Sequence, residues 1–259
     1  MCMGFMLPQK YWLACSAMAL FALLGGCGSL SEREPDSVAL PQITAFSKAG
    51  PGEALPGGWR PWVLSRLKTP TEYSMVSLRG RNVVRASAQS SASGVAHDVD
   101  VDPKIHQTLR WRWMVEALIP GADNSEANTE DSPVRIVIAF SGDKSKWDFS
   151  DKIFATQLRM FAGFDMPYAT LSYIWENRAA KGSLIESRHT KRSKMVVAES
   201  GREKLGQWWD ESRNIYEDYK RAFGEEPGRI YAIAIMTDTD NTGTSTQAYY
   251  GDIAFEKAR

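Results

Sequence analysis

The sequence predicts a mainly β protein, a β-sandwich with one or two short helical insertions. Nine or more short segments are typical of strands, and residues 109–116, 134–141 and 171–176 alternate with a period of two, as half-buried strands do. Only two stretches show the spacing of an amphipathic helix, and they do not alternate with strands as helices do in an α/β sheet. Turn residues separate the segments, as they do in sandwiches built from many short strands.

The strand segments carry β-branched and aromatic residues at alternate positions. Residues 72–79 and 82–89 flank Gly80 and predict a hairpin with a tight turn. Residues 109–115 place tryptophans on one face and arginines on the other, an alternation that an amphipathic helix would not show. Further strands are expected at residues 134–141, 171–176, 195–198, 230–236 and 248–255.

Two stretches favour a helix. Residues 215–223 form an apolar stripe at helical spacing, and we expect Asp210 to cap this helix and Gly224 to end it. Residues 151–161 show the same spacing and predict a second helix. Both lie between strands as insertions, so neither changes the predicted fold class.

The charge balance and the cysteines exclude several kinds of site. Lys plus Arg number 31 and Asp plus Glu number 31, so no excess of positive charge favours nucleic acid as a partner. Cys2, Cys15 and Cys27 are the only cysteines, which excludes a disulfide framework or a thiolate zinc site in the rest of the chain. We therefore expect a domain that is stabilised by packing and requires no cofactor.

The first residues are typical of an export signal. Residues 11–24 carry no charge, and they are too few for a membrane span of roughly 20 residues. The following motif, Leu24-Gly25-Gly26-Cys27, resembles the lipobox of bacterial lipoproteins. That resemblance implies cleavage just before the cysteine and its modification by diacylglycerol and a fatty acyl chain such as palmitate. The alternative is an ordinary signal peptide in which the cysteine is incidental.

This resemblance divides the chain into three parts. Residues 1–26 are the expected signal peptide, residues 27–41 an acylated cysteine with a flexible tether, and residues 42–259 a single β-sandwich domain. Gly28 stands just after the cysteine, and by resemblance to Gram-negative lipoproteins the absence of Asp there implies export to the outer membrane. We expect a bacterial cell-envelope protein that is anchored to the membrane at Cys27 and faces the periplasm.

The folded part carries two further sets of motifs. Residues 45–47 and 55–59 near its start, and 250–255 at its end, resemble the end strands of jelly-roll carbohydrate-binding modules of the galactose-binding-like type. Six more motifs are SASG at 91–94, LRWRW at 109–113, YIWEN at 173–177, RNIYEDY at 213–219, FGEEP at 223–227 and MTDTDNTG at 236–243. These resemble the bacterial family named domain of unknown function 3047. The family implies an envelope location and a β-sandwich, and it brings no assigned activity.

The candidates for ligand binding are Arg110, Arg112, Tyr173, Trp175, Glu176 and Asn177. The two arginines share a strand face and could form a cationic fork for a carboxylate or phosphate, or they could pair with acids on neighbouring strands. The two aromatic rings could stack on sugar rings or pack in the core. Glu176 and Asn177 follow at once, where the strand is expected to emerge into solvent.

Acidic residues late in the chain suggest a cation site. Asp238, Asp240 and Asn241 lie in a loop with the spacing that begins a calcium loop. Tyr249 stands where an EF-hand needs a bidentate Glu, so that motif is excluded. A simpler calcium site could use these three side chains and Asp252. The alternative is a turn in which the side chains bond their own backbone.

Together these features predict a non-catalytic envelope protein that binds a glycan or another extended polar ligand. The alternative is a polysaccharide-cleaving hydrolase or lyase on the same scaffold, with Glu176, Asp238 and Asp240 as the first carboxylates to consider. A third hypothesis, a structural partner of other envelope proteins, needs no pocket. The observation that distinguishes these hypotheses is whether the candidate side chains converge on one open concavity.

Overall fold

Two β-sheets lie face to face in the computed structural model, which describes residues 43–65, 67–163 and 165–257. One sheet has seven strands and the other has five, and a continuous apolar core fills the space between them. The predicted β-sandwich with its helical insertions is confirmed. The predicted signal peptide, Cys27 and the tether lie outside the described residues.

The elements of these ranges begin and end as follows. The strands are β1 (Trp59–Trp62), β2 (Glu72–Leu78), β3 (Arg81–Gln89), β4 (Ala92–Val101), β5 (Thr108–Val115), β6 (Arg135–Phe140), β7 (Ala169–Glu176), β8 (Leu184–Glu186), β9 (Ser193–Ser200), β10 (Trp209–Asn214), β11 (Ile230–Asp238) and β12 (Ser245–Glu256). The α-helices are α1 (Phe149–Ala162) and α2 (Ile215–Phe223), and short 3-10 helices span Phe46–Lys48 and Lys144–Lys146. No helix in the described part is long and apolar enough to cross a membrane.

The last two described strands, β11 and β12, each lie between two neighbouring strands of a sheet. The seven-stranded sheet runs β1-β4-β11-β6-β7-β9-β8, and the five-stranded sheet runs β10-β5-β12-β3-β2. Neighbouring strands are antiparallel except for β7 and β9, which are parallel. The last two strands are therefore interior strands, one in each sheet.

The predicted hairpin consists of β2 and β3, which pair in continuous register from Leu78 and Arg81 outward. Arg79 and Gly80 connect them with φ angles of 52° and 77°. Both values lie in the left-handed region that a two-residue hairpin turn of type I′ requires, and glycine adopts it without strain. The turn thus sets the register of the edge of the five-stranded sheet.

Large aromatic side chains from both sheets meet in the core. Trp111 stacks on Tyr173 with ring centroids 4.9 Å apart, and Trp113 faces Trp175 at 6.3 Å. Because side chains alternate along a strand, the inward tryptophans of β5 leave its arginines on the outer face. The alternation predicted for this strand is confirmed.

The helices end as predicted, but one begins elsewhere. Gly224 ends α2 with a φ of 69°, and its N–H donates to the carbonyl of Lys220. The expectation that Asp210 caps this helix was wrong, because Asp210 lies in β10 and pairs with β5. Asn214 is the cap, and its side-chain oxygen accepts the N–H of Glu217 at 3.0 Å.

Candidate functional site

The two faces of the seven-stranded sheet carry different side chains. On β6 and β11 the isoleucines Ile136, Ile138, Ile233 and Ile235 belong to the core between the sheets. The residues between them point outward, and most are small. The outward set on β4, β6 and β11 includes Ala96, Val137, Ala139, Ala232 and Ala234. This floor of short side chains leaves a depression on the outer face of the sheet.

A groove of about 400 Å³ lies over this floor. One wall is formed by Trp62 and Leu64, which pack against the floor from the edge strand β1 and the segment after it. The other wall is formed by Phe154 and Leu158 of α1, and the ring of His189 stacks on Phe154 with centroids 5.8 Å apart. The volume falls within the range of roughly 300–1,000 Å³ that is usual for small-molecule sites.

The segment between β8 and β9, which carries His189, is bonded to helix α1 and to two residues outside that helix. Thr190 Oγ1 donates to Asp151 Oδ1 at 2.6 Å. Arg192 Nη1 donates to Glu225 Oε1 at 2.9 Å, and its guanidinium lies 4.7 Å from the ring of Tyr168. This wall of the groove is therefore held by hydrogen bonds and by a cation–π contact.

A buried ion pair lies at one end of the groove, where β6 begins and β11 ends. Arg135 donates through Nε to Asp238 Oδ1 and through Nη2 to Oδ2, both at 3.0 Å, and each side chain is about 5% exposed. Arg135 Nη2 also donates to the carbonyl of Glu130 at 2.8 Å, and Nη1 reaches the sulfur of Met195. Of these donors, Nη1 has only a weak acceptor, which leaves it the most available to a ligand.

The carboxyl groups at this end have unequal surroundings. Burial raises the pKa of Asp238 to about 6, although the guanidinium of Arg135 opposes this shift. The neighbouring Asp131 carboxylate acts in the same direction as burial. Glu130 also lines the groove, and its Oε2 is buried without a hydrogen-bond partner among the described residues. A buried acceptor without a partner costs free energy, so a hydrogen bond to this oxygen would be stabilising.

The structure corrects the expectation that Tyr173 and Trp175 offer a surface to a ligand. Both rings are fully buried between the sheets. Tyr173 Oη donates to Asp218 Oδ2 at 2.9 Å, and Trp175 Nε1 donates to the carbonyl of Gly201 at 3.0 Å. Core packing, the alternative for both residues, is what the structure has.

Glu176 and Asn177 hold loops together instead of facing a ligand. The Glu176 carboxylate accepts backbone N–H groups from Asn124, Arg178 and Ala179. Asn177 Nδ2 donates to two backbone carbonyls of the segment after β5, at 2.7 and 3.0 Å. Because these polar groups are satisfied by backbone, their role is structural.

Arg110 and Arg112 lie on the outer face of the other sheet and do not reach the groove. Arg110 pairs with Glu256 at 2.8 Å, and Arg112 pairs with Asp210 at 2.7 Å, so the alternative of cross-strand pairing holds for both. They line a separate, wide concavity of about 870 Å³. The six predicted ligand-binding residues therefore do not converge on one site.

The acidic loop after β11 is assembled differently from the prediction. Oxygens of Asp131, Asp238 and Asp240 lie within 4.8 Å of one another, so the structure brings Asp131 to a cluster from which sequence reasoning omitted it. Asp252 was wrongly included, because it lies elsewhere and accepts the N–H of Ser47 at 2.9 Å. Asn241 donates to the carbonyl of Glu130 through Nδ2 instead of offering an oxygen.

Protein donors already occupy much of this cluster. Asp131 accepts the N–H and the hydroxyl of Thr242, both at 2.7 Å, and Asp240 pairs with Lys68 at 2.5 Å. Asp238 is engaged by Arg135, so a cation would have to compete with two positive side chains. The side chains of Asp238, Asp240 and Asn241 bond residues of other segments, so the alternative of a turn in which they bond their own backbone is not what the structure has.

The residues that form the groove were not predicted, although the sequence carries one signal of them. The outward positions of β6 are Arg135, Val137 and Ala139, and those of β11 include Ala232 and Ala234. Small residues and one arginine on the outer face of two strands indicate that no other layer of the protein packs there. Another molecule can then contact this face.

Comparisons with known proteins give the following matches. A family model described as "Protein of unknown function (DUF3047)" matches residues 57–254. No curated protein matches the chain. The solved structure of "Cellulose induced protein, Cip1" is similar at 11% sequence identity, with a TM-score of 0.32, over 78% of this chain and 92% of that chain. The xyloglucanase domain of NopAA, a type three effector from Sinorhizobium fredii in complex with cellobiose, is similar at 9% identity, with a TM-score of 0.36, over 75% and 92%.

Proposed function

Because the chain belongs to the family described as protein of unknown function (DUF3047), which brings no activity, we propose from the groove itself that the protein binds a glycan. The observation that carries this proposal is the combination of a flat floor of small apolar side chains with a buried polar end. Sugar rings combine an apolar C–H face with hydroxyl groups at the edge. A groove with both kinds of surface is suited to such a ligand.

The walls and the end of the groove would make separate contacts with a sugar. The ring of Trp62 on one wall would cover a C–H face, as aromatic side chains do. At the end, Arg135 Nη1 would donate a hydrogen bond to a hydroxyl oxygen, and Glu130 Oε2 would accept a hydrogen bond from a hydroxyl group. Hydrogen bonds of this kind to charged groups contribute about 1.5–3 kcal/mol each.

The experiment is a glycan-array screen of the full chain, followed by titration of the best ligand against two variants. Ala234→Leu adds bulk to the groove floor and should weaken binding about tenfold or more, which corresponds to about 1.4 kcal/mol. Ala254→Leu is the matched control, since it adds the same bulk in the concavity of the five-stranded sheet. If Ala254→Leu weakens binding and Ala234→Leu does not, the groove is not the site.

Glycan cleavage is a second candidate function, supported by one observation. The carboxyl groups of Glu130 and Asp238 line the same end of the groove, and burial raises the pKa of Asp238 to about 6. A carboxyl group with a raised pKa is suited to donate a proton to a leaving group, and a second carboxylate would act as base or nucleophile. Cleavage products released by the wild type and lost in both Glu130→Gln and Asp238→Asn would select this function over binding alone.

The proposed location is the cell envelope, with the chain anchored through lipid on Cys27. The support is the uncharged segment 11–24 followed by the motif Leu24-Gly25-Gly26-Cys27. Two or three acyl chains are enough for stable anchoring without a membrane span. Metabolic labelling with a fatty-acid analogue should tag the wild type and leave Cys27→Ala unlabelled. Equal labelling of the two proteins would contradict the anchor.

A further inference from the structure

Helix α1 has apolar side chains on two opposite faces. Phe154 and Leu158 face the groove and pack against the core. On the opposite side, Phe149 is 79% exposed and Met160 is 73% exposed. Ile153 is 44% exposed on the same side. A surface helix of a globular protein normally carries polar residues on the face away from its core, so this helix is built to contact something on both sides.

The exposed residues form a stripe along the helix axis. Phe149, Ile153 and Met160 are spaced by four and seven positions, which places them one above another on one face. Phe161 is also exposed, at 67%, but it lies about 100° around the helix axis from Met160 and does not belong to the stripe. Contiguous exposed apolar surface of this kind marks an interaction site, whereas single exposed apolar residues do not.

Basic side chains surround this stripe. Lys152 and Arg159 lie on α1 itself, next to the stripe, and are exposed. Lys144 and Lys146 precede the helix, and Lys191 reaches its start, with Nζ 3.0 Å from Asp148 Oδ2. Arg159 pairs with Asp165 and Lys191 with Asp148, whereas Lys144 and Lys152 form no ion pair among the described residues. An apolar stripe bordered by lysine and arginine is the pattern of a helix that lies in the interface of an anionic membrane.

The position of α1 in the fold agrees with such a contact. The helix lies in the connection between β6 and β7, at the end of the sheet where β6 finishes beside Ile230. The chain enters the described domain near this end, since the N–H of Thr44 donates to His97 Nε2 and His97 pairs with Ile233. The sixteen residues from 27 to 42 can reach roughly 50 Å when extended, so an anchor at Cys27 leaves α1 free to touch the same membrane.

We propose that the outer face of α1 docks on an anionic phospholipid bilayer, with Phe149, Ile153 and Met160 inserted among the lipid headgroups. Lys152 and Arg159 then lie at the headgroup level and contact lipid phosphates. The docked helix keeps its other face on the groove, so the ligand-binding groove is carried at a fixed orientation to the membrane.

The test places a fluorescent reporter on the stripe of the full chain reconstituted in vesicles. With Cys2 and Cys15 changed to serine, Met160→Cys is labelled with an environment-sensitive nitrobenzoxadiazole dye. Ser77→Cys is the matched control, because it is also exposed but lies on β2 of the opposite sheet. The vesicles contain phosphatidylethanolamine and phosphatidylglycerol, with a fraction of lipid carrying a nitroxide quencher.

The dye at position 160 should shift to the blue and be quenched by the nitroxide lipids at least about threefold more than the dye at position 77. Combining Met160→Cys with Lys152→Glu and Lys146→Glu should reduce this quenching, because the electrostatic attraction is lost. Equal quenching at the two positions would overturn the proposal. So would a blue shift at position 160 that appears without lipid and rises with protein concentration, since a second copy of the chain would then cover the stripe.

Discussion

Arg135 and Asp238 are 103 residues apart in the chain, yet they meet through two hydrogen bonds of 3.0 Å at the end of the groove. The contact exists because β6 and β11 are antiparallel neighbours, so the first residue of one strand lies beside the end of the other. Both side chains are buried, and each one compensates the charge of the other.

Breaking this pair from one side should be costly. Arg135→Met leaves the Asp238 carboxylate buried without its partner and should lower the free energy of unfolding by about 3–5 kcal/mol, measured by urea denaturation. The double variant Arg135→Met with Asp238→Leu should recover much of this loss. Arg60→Ala is the control, since its pair with Asp98 is exposed and should contribute about 0–1 kcal/mol. A loss in Arg135→Met no larger than in Arg60→Ala would contradict the role of the pair.

Trp175 should behave as a core residue. Trp175→Ala removes a fully buried ring that faces Trp113 and should lower the free energy of unfolding by about 3–5 kcal/mol. Calorimetry should show a large fall in the melting temperature. Trp62→Ala, on the groove wall, should cost less stability because this ring is only half-buried, and it should weaken glycan binding. A Trp175→Ala protein that melts like the wild type would show that the ring is not packed as described.

Glu211 should make the protein less stable as the pH rises. Burial raises the pKa of Glu211 from 4.5 to about 7, although Lys181 Nζ lies 3.5 Å from its Oε1. The folded protein then holds a proton that the unfolded chain has already released, so stability falls between about pH 4.5 and pH 7. The free energy of unfolding that Glu211 removes between these two pH values is on the order of 2 kcal/mol, after allowance for solvent screening.

Glu211→Gln should remove this part of the pH dependence, which urea unfolding at pH 5 and pH 7.5 would measure. Asp210→Asn is the control on the same strand, because its side chain is 73% exposed. Lys181 and Lys204 stay in place in both variants, so the comparison isolates the buried carboxyl group. If the free energy of unfolding of Glu211→Gln still falls between pH 5 and pH 7.5 as in the wild type, other groups cause the pH dependence. Asp238 is one of them, since its raised pKa also lowers stability as the pH rises.

The acidic loop should hold its structure without a metal ion. Hydrogen bonds from Thr242 to Asp131 and the ion pair of Asp240 with Lys68 already stabilise it. We therefore expect a chelator to leave the thermal transition unchanged and added calcium to raise the melting temperature by less than about 1 °C. A transition that collapses on chelation would make Asp131, Asp238 and Asp240 a structural metal site.

The strands that could be predicted are those in which one face alone is buried. In β5 the side chains alternate with a period of two, because tryptophans point inward and arginines point outward. β4 was not predicted, since its first six residues are buried on both faces and show no alternation. β10 is an edge strand of mostly polar residues, which is why Asp210 resembled a helix cap.

The candidate site could not be predicted because it arises from tertiary structure. Its floor combines alanines from three strands that are adjacent only in the assembled sheet. Trp175 was expected near solvent because polar residues follow it, but Glu176 and Asn177 turn back to bind loop backbone. Sequence spacing alone does not distinguish a polar group that faces water from one that binds a neighbouring loop.

The interior positions of β11 and β12 also govern when the protein can fold. Until residues 230–256 are available, β4 and β6 have no common neighbour in one sheet, and β5 and β3 have none in the other. Assembly of each sheet around β11 or β12 joins segments that are far apart in sequence. Without these two strands the apolar faces of both sheets stay uncovered, and exposed apolar faces of this kind favour aggregation.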